Sequence, residues 1–116
     1  MSYYSINGGL SLSGQVRISG NKNAALPCIV ATLLTDEACL LKNIPYIQDV
    51  KVMFKILSDI GSAVSFLGDG QYAVKSNIKA IEFNSSLIDS VRGSILFAGP
   101  LLARGYSIEL PPPGGD

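Results

Sequence analysis

Apolar side chains recur along this chain with two different spacings, one typical of strands and one typical of helices. Residues 10–18 alternate between apolar and polar side chains, which predicts a half-buried strand. Residues 48–60 carry apolar side chains three and four positions apart, which predicts an amphipathic helix. Residues 24–34 are apolar on nearly all sides, so we expect a helix that is buried on most faces.

The remaining segments extend this pattern into a repeating order of elements. The predicted strands are residues 3–7, 10–18, 37–44, 63–67, 71–75, 80–83 and 106–110, and the predicted helices are residues 24–34, 48–60 and 87–103. An Asp-Gly turn at 69–70 predicts a hairpin between two of the strands. Residues 10–76 therefore predict one βαβαββ unit of an α/β fold, and residues 80–116 start a second. Because the second unit is incomplete, we expect the chain to be part of a longer polypeptide.

The junction between the strand at 10–18 and the first helix is the strongest candidate for chemistry. Gly20 allows a tight turn, and Lys22 and Asn23 follow it at the predicted helix start. Backbone N–H groups at a helix start, together with an ammonium group, form a good anion site. A solvated lysine in a capped turn is the simpler alternative for so short a motif.

Two further positions are candidates for function. Arg92 lies early in the predicted helix 87–103, beside the small residues Gly93 and Ser94, where a ligand can approach the backbone. A cation at a helix start opposes the helix dipole, which is a weak indication of function, and a solvated arginine remains the alternative. Asp116 follows a glycine pair in a proline-rich loop. It could belong to a lid over a ligand or lie at an ordinary loop tip, and the local sequence alone favours the loop tip.

Composition narrows the classes of function. The 116 residues are 47% hydrophobic, with Lys+Arg 9, Asp+Glu 9 and no histidine, which argues against nucleic acid as a partner. Without histidine, the usual general base and the commonest metal ligand are missing, and we expect neither a metal nor a cofactor. Cys28 and Cys39 lie in apolar segments and are expected to be buried thiols. Neither a signal peptide nor a membrane span is indicated, so we expect a cytoplasmic protein without a membrane partner.

A series of motifs runs through the whole chain in collinear order. They are the run Leu12-x-Gly14-x-Val16-x-Ile18-Ser19-Gly20-x-Lys22-Asn23-Ala24-Ala25-Leu26-Pro27 and the later blocks Asn43-x-Pro45, Asp49-Val50, Leu57-x-x-Ile60-Gly61-Ser62, Val91-Arg92-x-Ser94-Ile95-Leu96 and Gly99-Pro100-Leu101-Leu102-Ala103-Arg104. These motifs closely resemble those of the UDP-N-acetylglucosamine enolpyruvyltransferases. The resemblance implies an inside-out α/β barrel of two domains, each built from βαβαββ units. Residues 1–20 would be strands of the second domain, and residues 21–116 an incomplete first domain.

The resemblance also implies an activity. The family transfers an enolpyruvyl group from phosphoenolpyruvate to the 3-hydroxyl of UDP-N-acetylglucosamine and releases phosphate, the first committed step of peptidoglycan synthesis. It assigns Lys22 and Asn23 to phosphoenolpyruvate and Arg92 to UDP-N-acetylglucosamine, and Lys22 and Arg92 together suit the anionic groups of phosphoenolpyruvate without a metal. Asp116 matches the loop cysteine that donates a proton in most relatives, so resistance to fosfomycin, which alkylates that cysteine, is expected.

Other interpretations stay open at this point. The shikimate-pathway enolpyruvyltransferase has a similar strand, loop and helix, but typically Lys-Ser in place of Lys22-Asn23. A non-catalytic module that binds an anion is a third possibility. Further substrate residues of the family lie beyond position 116, so we expect the 116-residue chain alone to be inactive. Its partners would be the two substrates and the remainder of the longer chain.

Overall fold

The computed structural model describes residues 1–79, 81–112 and 114. Within them the helices are α1 (Lys22–Ala31), α2 (Gln48–Asp59), α3 (Ser85–Asp89) and α4 (Ala98–Ala103), with 3-10 helices at Thr32–Leu34 and Arg92–Phe97. The strands are β1 (Cys39–Leu41), β2 (Ser62–Gly68) and β3 (Gln71–Ser76). Among these described residues, no helix has the length and apolar character needed to cross a bilayer.

The three strands form one antiparallel sheet in the order β1-β3-β2. The predicted hairpin between β2 and β3 is confirmed, and Val64 lies opposite Val74 in its register. Its turn needs a left-handed backbone, because Asp69 has φ 48° and Gly70 has φ 67°. Aspartate and glycine tolerate this conformation better than other residues do, which explains why a local sequence signal was sufficient.

The hydrophobic core lies where α1 and α2 pack against each other and against the sheet. Helix α2 confirms the prediction for 48–60, and its apolar positions supply a large part of the core. The fully buried apolar side chains include Ile29, Leu33, Val50, Met53, Leu57, Ile60, Ile88, Phe97 and Leu101. Gly61, with φ 116°, follows α2 in the left-handed conformation expected of a residue just past a helix end.

Helix α1 is less buried than its composition predicts. Ala25, Leu26, Ile29 and Val30 face the core, whereas the opposite side of the helix is exposed. The expectation of two buried thiols is correspondingly wrong, because Cys28 lies on the exposed side and Cys39 is half-buried. Apolar composition predicted burial, but only one face of α1 has α2 and the 3-10 helices to pack against.

The predicted helix 87–103 is wrong and is replaced by α3, a 3-10 helix and α4. The break falls at Val91, which is extended (φ −145°, ψ 124°) and buried. After it, Ser94 Oγ donates a hydrogen bond to the carbonyl of Ile88 at 3.3 Å. Gly93 packs so closely on α1 that a Cβ there would lie 2.8 Å from Leu26 Cδ1. Packing against α1 therefore overrides the helical periodicity of the segment.

Several predicted strands do not pair with another strand. Residues 1–19 are exposed throughout, and 81–83 and 106–110 form no ladder with any described residue. In 106–110 the predicted alternation is nonetheless present, since every second side chain packs against the core. A strand needs a hydrogen-bonded neighbour as well as an alternating pattern, and the pattern alone does not supply one.

An aromatic cluster connects α2 with the hairpin. The Tyr72 ring stacks on Phe54 with centroids 4.3 Å apart and lies 5.0 Å from the Phe66 ring. Burial raises the pKa of the Tyr72 hydroxyl above the usual value of 10.0; Tyr46 acts in the same direction, and Lys51 opposes it. The folded state therefore holds this proton more tightly than the unfolded chain does.

This shift predicts a loss of stability in alkali. The protonated Tyr72 hydroxyl makes its full contribution to the free energy of unfolding below a pH of about 10. This contribution is lost as the pH rises through the folded-state pKa. We expect the melting temperature of the wild type to fall more steeply above about pH 10 than that of Tyr72→Phe, which keeps the ring stack. The exposed Tyr3 provides the matched control, Tyr3→Phe. Parallel profiles for the wild type and Tyr72→Phe would contradict the prediction.

Candidate functional site

Helix α1 begins two residues earlier than predicted, which places Lys22 and Asn23 inside its first turn. The N-cap is Asn21 (φ −95°, ψ 135°), whose side-chain oxygen accepts a hydrogen bond from the Ala24 N–H at 3.2 Å. The N–H groups of Lys22 and Asn23 precede Ala24 in the helix and have no partner within it, so they remain able to bind an anion. This turn carries no acidic residue, so no carboxylate from α1 itself competes for them.

The backbone before α1 is held by the loop that follows β1. Gly20 lies directly against this loop, and a Cβ there would collide with the carbonyl oxygen of Asn43 and lie 2.9 Å from Pro45 Cδ. Asn43 also donates from Nδ2 to the carbonyl of Ile18 at 3.5 Å. The sequence suggested that Gly20 was needed for a turn. The structure shows that a glycine is needed here because the loop at Asn43 and Pro45 packs directly against its backbone.

The structure brings three of the four predicted site residues to one cleft. A cavity of about 340 Å³ lies between the starts of α1, α2 and the 3-10 helix Arg92–Phe97. It is lined by Lys22, Asn23, Leu26, Asp49, Arg92, Gly93, Ile95 and Leu96. The fourth predicted residue, Asp116, lies outside the described residues.

Asp49 is a site residue that the sequence reasoning missed. It entered the sequence analysis only within the motif Asp49-Val50, with no role assigned to it, yet its Oδ2 lies 2.7 Å from Lys22 Nζ. No pattern in the sequence links the two positions, because they meet only through the packing of α1 against α2. With Lys22 and Arg92 against Asp49, the cleft has a net formal charge of +1, which suits an anionic ligand.

The other arginines of the chain have structural partners. Arg104 donates to both carboxylate oxygens of Asp36 at 2.9 and 3.0 Å and to the carbonyl of Leu33, which fixes α4 to the end of the first 3-10 helix. Arg17 pairs with Asp69 on the surface. Within the described part of the chain, Arg92 forms no such ion pair and faces the cleft.

A larger groove elsewhere is less suited to an anion. It measures about 610 Å³ and is lined by Glu82 and Glu109 together with apolar residues near the Pro111-Pro112 segment. Its described lining includes no basic side chain, so its electrostatic potential disfavours a phosphate or carboxylate. The smaller cleft at Lys22 is therefore the better candidate site.

Comparison with known proteins shows the family to which the chain belongs. Residues 6–111 match the family model of EPSP synthase (3-phosphoshikimate 1-carboxyvinyltransferase), and the chain belongs to this family. It is 50% identical over 117 residues to UDP-N-acetylglucosamine 1-carboxyvinyltransferase of Treponema pallidum (strain Nichols), an alignment that covers 100% of this chain and 28% of the relative. The protein of the same name from Borreliella burgdorferi is 48% identical over 116 residues, with 100% and 27% covered.

A solved structure shows the same fold. The crystal structure of the enolpyruvyl transferase NikO from Streptomyces tendae superposes with a TM-score of 0.69 at 27% identity, covering 84% of this chain and 23% of that chain. The expected α/β fold of the enolpyruvyltransferase type is thereby confirmed. The chain spans about a quarter of the length of these relatives. The predicted division at residues 20 and 21 into two domains stays a prediction.

The close approach at Gly20 yields a test of how the start of α1 is held. We expect Gly20→Ala to destabilise the fold by roughly 1–3 kcal/mol, because the loop at Asn43 must move away. Gly8→Ala is the matched control, since an added Cβ there meets no atom within 4 Å, and it should change stability by less than about 0.5 kcal/mol. Urea unfolding of both variants measures the difference, and equal stabilities would contradict this account of Gly20.

Proposed function

We propose that this chain supplies the phosphoenolpyruvate site of an enzyme that transfers enolpyruvyl to the 3-hydroxyl of UDP-N-acetylglucosamine, a step of peptidoglycan synthesis. The observation that carries the proposal is the cleft in which Lys22, Asn23 and Arg92 lie together at two helix starts. Phosphoenolpyruvate bears a phosphate and a carboxylate, both of which suit ammonium, guanidinium and backbone N–H donors. The relatives are UDP-N-acetylglucosamine 1-carboxyvinyltransferases, so we take the nucleotide sugar as the acceptor.

Each residue has a distinct role in this proposal. Lys22 and the first-turn N–H groups of α1 bind an anionic group of phosphoenolpyruvate, and the Asn23 amide hydrogen-bonds to the same substrate. Arg92 lies across the cleft and binds UDP-N-acetylglucosamine, whose diphosphate a guanidinium can hold with two parallel hydrogen bonds. This arrangement holds the two substrates side by side without requiring a metal ion.

The reaction needs acid–base chemistry in addition to binding. The sugar 3-hydroxyl loses its proton to a base as its oxygen forms a bond to C2 of phosphoenolpyruvate, while a proton is added to the C3 methylene group. The C2–O bond to phosphate then breaks, and a proton leaves C3 to restore the double bond. We propose Asp116 as the donor of the first proton, because the motif resemblance matches it to the family's loop cysteine and a carboxylic acid can perform the same transfer.

The proposal places the rest of the active site in a longer polypeptide. Residues 1–20 would pack there as strands of a second domain, since Tyr4, Leu12 and Val16 are 97%, 97% and 86% exposed in this chain. The partners are the two substrates and the remainder of that polypeptide. A cytoplasmic location belongs to the same proposal, because both substrates are cytoplasmic metabolites.

One alternative has a specific observation in its favour. The matching family model carries the description of the shikimate-pathway enzyme, which uses 3-phosphoshikimate as acceptor. The cleft itself does not discriminate, because both reactions use the same enolpyruvyl donor. The acceptor dependence of phosphate release separates the two functions.

The binding residues give the first test of the proposal. In the longer polypeptide we expect phosphate release from phosphoenolpyruvate to depend on UDP-N-acetylglucosamine, and Lys22→Ala to lower kcat/KM by about 100-fold or more. Lys55→Ala is the control, because Lys55 pairs with Asp59 on the exposed side of α2. Release that depends on 3-phosphoshikimate would favour the alternative, and an unchanged Lys22→Ala enzyme would overturn the binding role.

The loop carboxylate gives a second test. We expect the enzyme to retain activity after incubation with fosfomycin, since a carboxylate replaces the alkylated thiol. We expect Asp116→Asn to lose at least about 100-fold in kcat, because an amide is not acidic enough to donate the proton. We expect Asp116→Cys to keep turnover and to become sensitive to inactivation by the drug. Time-dependent inactivation of the wild type, with the adduct mapped to Asp116, would contradict this role.

A further inference from the structure

The ion pair at the mouth of the cleft joins two helices at their starts. Lys22 is the first residue of α1, Asp49 lies in the first turn of α2, and Nζ and Oδ2 are 2.7 Å apart. The other ion pairs of the described residues, at 2.9 to 3.1 Å, connect groups outside the cleft. The Lys22 side chain is 51% exposed and that of Asp49 is 32% exposed, so the ammonium group remains accessible to a ligand.

Lys22 needs a partner to stay at this position. A lysine at the start of a helix is disfavoured by the helix dipole, and its four-carbon side chain moves among many rotamers when it is free. A carboxylate at 2.7 Å takes one of the three ammonium protons and leaves two to donate elsewhere. Since Arg92 is also present, the cleft keeps its net positive charge while Asp49 is bound.

We propose that Asp49 is a positioning residue for the reaction: its carboxylate holds the Lys22 ammonium at the mouth of the cleft, directed toward the anionic group of phosphoenolpyruvate. This inference rests on the proposed function. The opposite role is that Asp49 competes with the ligand for the ammonium group. The two roles predict opposite changes in the affinity for phosphoenolpyruvate when the Asp49 carboxylate is removed. Removing a competitor tightens binding, whereas removing a positioning group weakens it.

The test uses the longer polypeptide and saturation kinetics in each substrate. We expect Asp49→Ala to raise the KM for phosphoenolpyruvate about tenfold while the KM for UDP-N-acetylglucosamine stays within about twofold. Asp49→Asn keeps an oxygen that accepts the ammonium proton, so it should recover part of this loss. The matched control is Asp59→Ala, which removes the other ion-paired aspartate of α2; Asp59 has a similar exposure of 28% and lies outside the cleft. We expect no change in either KM for the control.

A double-mutant cycle separates positioning from a general effect on folding. If Asp49 acts through Lys22, adding Asp49→Ala to Lys22→Ala causes no further rise in the KM for phosphoenolpyruvate. Equilibrium binding of phosphoenolpyruvate, measured by calorimetry on the same variants, gives the same readout without turnover. Independent effects of the two substitutions, or tighter binding by Asp49→Ala, would overturn the positioning role.

The outcomes also distinguish this inference from the proposed function. A wild type that turns over normally, with Asp49→Ala indistinguishable from Asp59→Ala, overturns the role of Asp49 and leaves the enolpyruvyl transfer intact. A wild type that binds phosphoenolpyruvate but transfers nothing overturns the proposed reaction, and the calorimetric cycle still decides the role of Asp49. A wild type that binds no phosphoenolpyruvate overturns both.

Discussion

The packing of α1 against α2 and against the 3-10 helix Arg92–Phe97 determines where every described candidate site residue lies. Buried Leu26 on α1 contacts the small surface left by Gly93, so the turn that carries Arg92 lies close to Lys22. The same packing brings Asp49 of α2 to the first turn of α1. The starts of α1, α2 and the 3-10 helix therefore lie close together. As a result, a chain with no net charge carries a local excess of positive charge in one cleft. A larger residue at Gly93 would press on the Leu26 side chain and disturb this packing.

The parts of the fold that the sequence predicted correctly depend on local interactions. Helix α2 has one apolar face over its whole length, and the hairpin has a turn that few other residue pairs can form. The predictions that failed depend on distant partners. Residues 87–103 have the composition of a helix, but the segment bends at Val91 to pack on α1. Residues 10–18 have the pattern of a strand and no neighbour to pair with among the described residues, so their assignment to a second domain stays a prediction. Periodicity specifies which face is apolar and leaves open what covers that face.

The residues of the candidate site also divide into those that local sequence predicts and those that depend on distant contacts. Lys22, Asn23 and Arg92 were recognisable because each belongs to a short motif at a strand or helix end. Asp49 was not, because its role arises from a contact between two helices rather than from its neighbours in sequence. Gly20 was singled out for the wrong reason, since its need for close approach to Asn43 is visible only in three dimensions. Asp116 lies outside the described residues, so its position relative to the cleft stays a prediction.

The charge of the cleft constrains what the rest of the enzyme must contribute under the proposed function. A phosphate group carries a charge of about −1.5 to −2 near neutral pH, and the carboxylate of phosphoenolpyruvate adds another negative charge. Lys22, Arg92 and Asp49 together supply a net charge of only +1, and Arg92 is shared with the nucleotide sugar in the proposed arrangement. Burying so much uncompensated negative charge is highly unfavourable, so further cations must close over the ligand from elsewhere in the polypeptide. The open side of the cleft is therefore where the remainder of the active site has to lie.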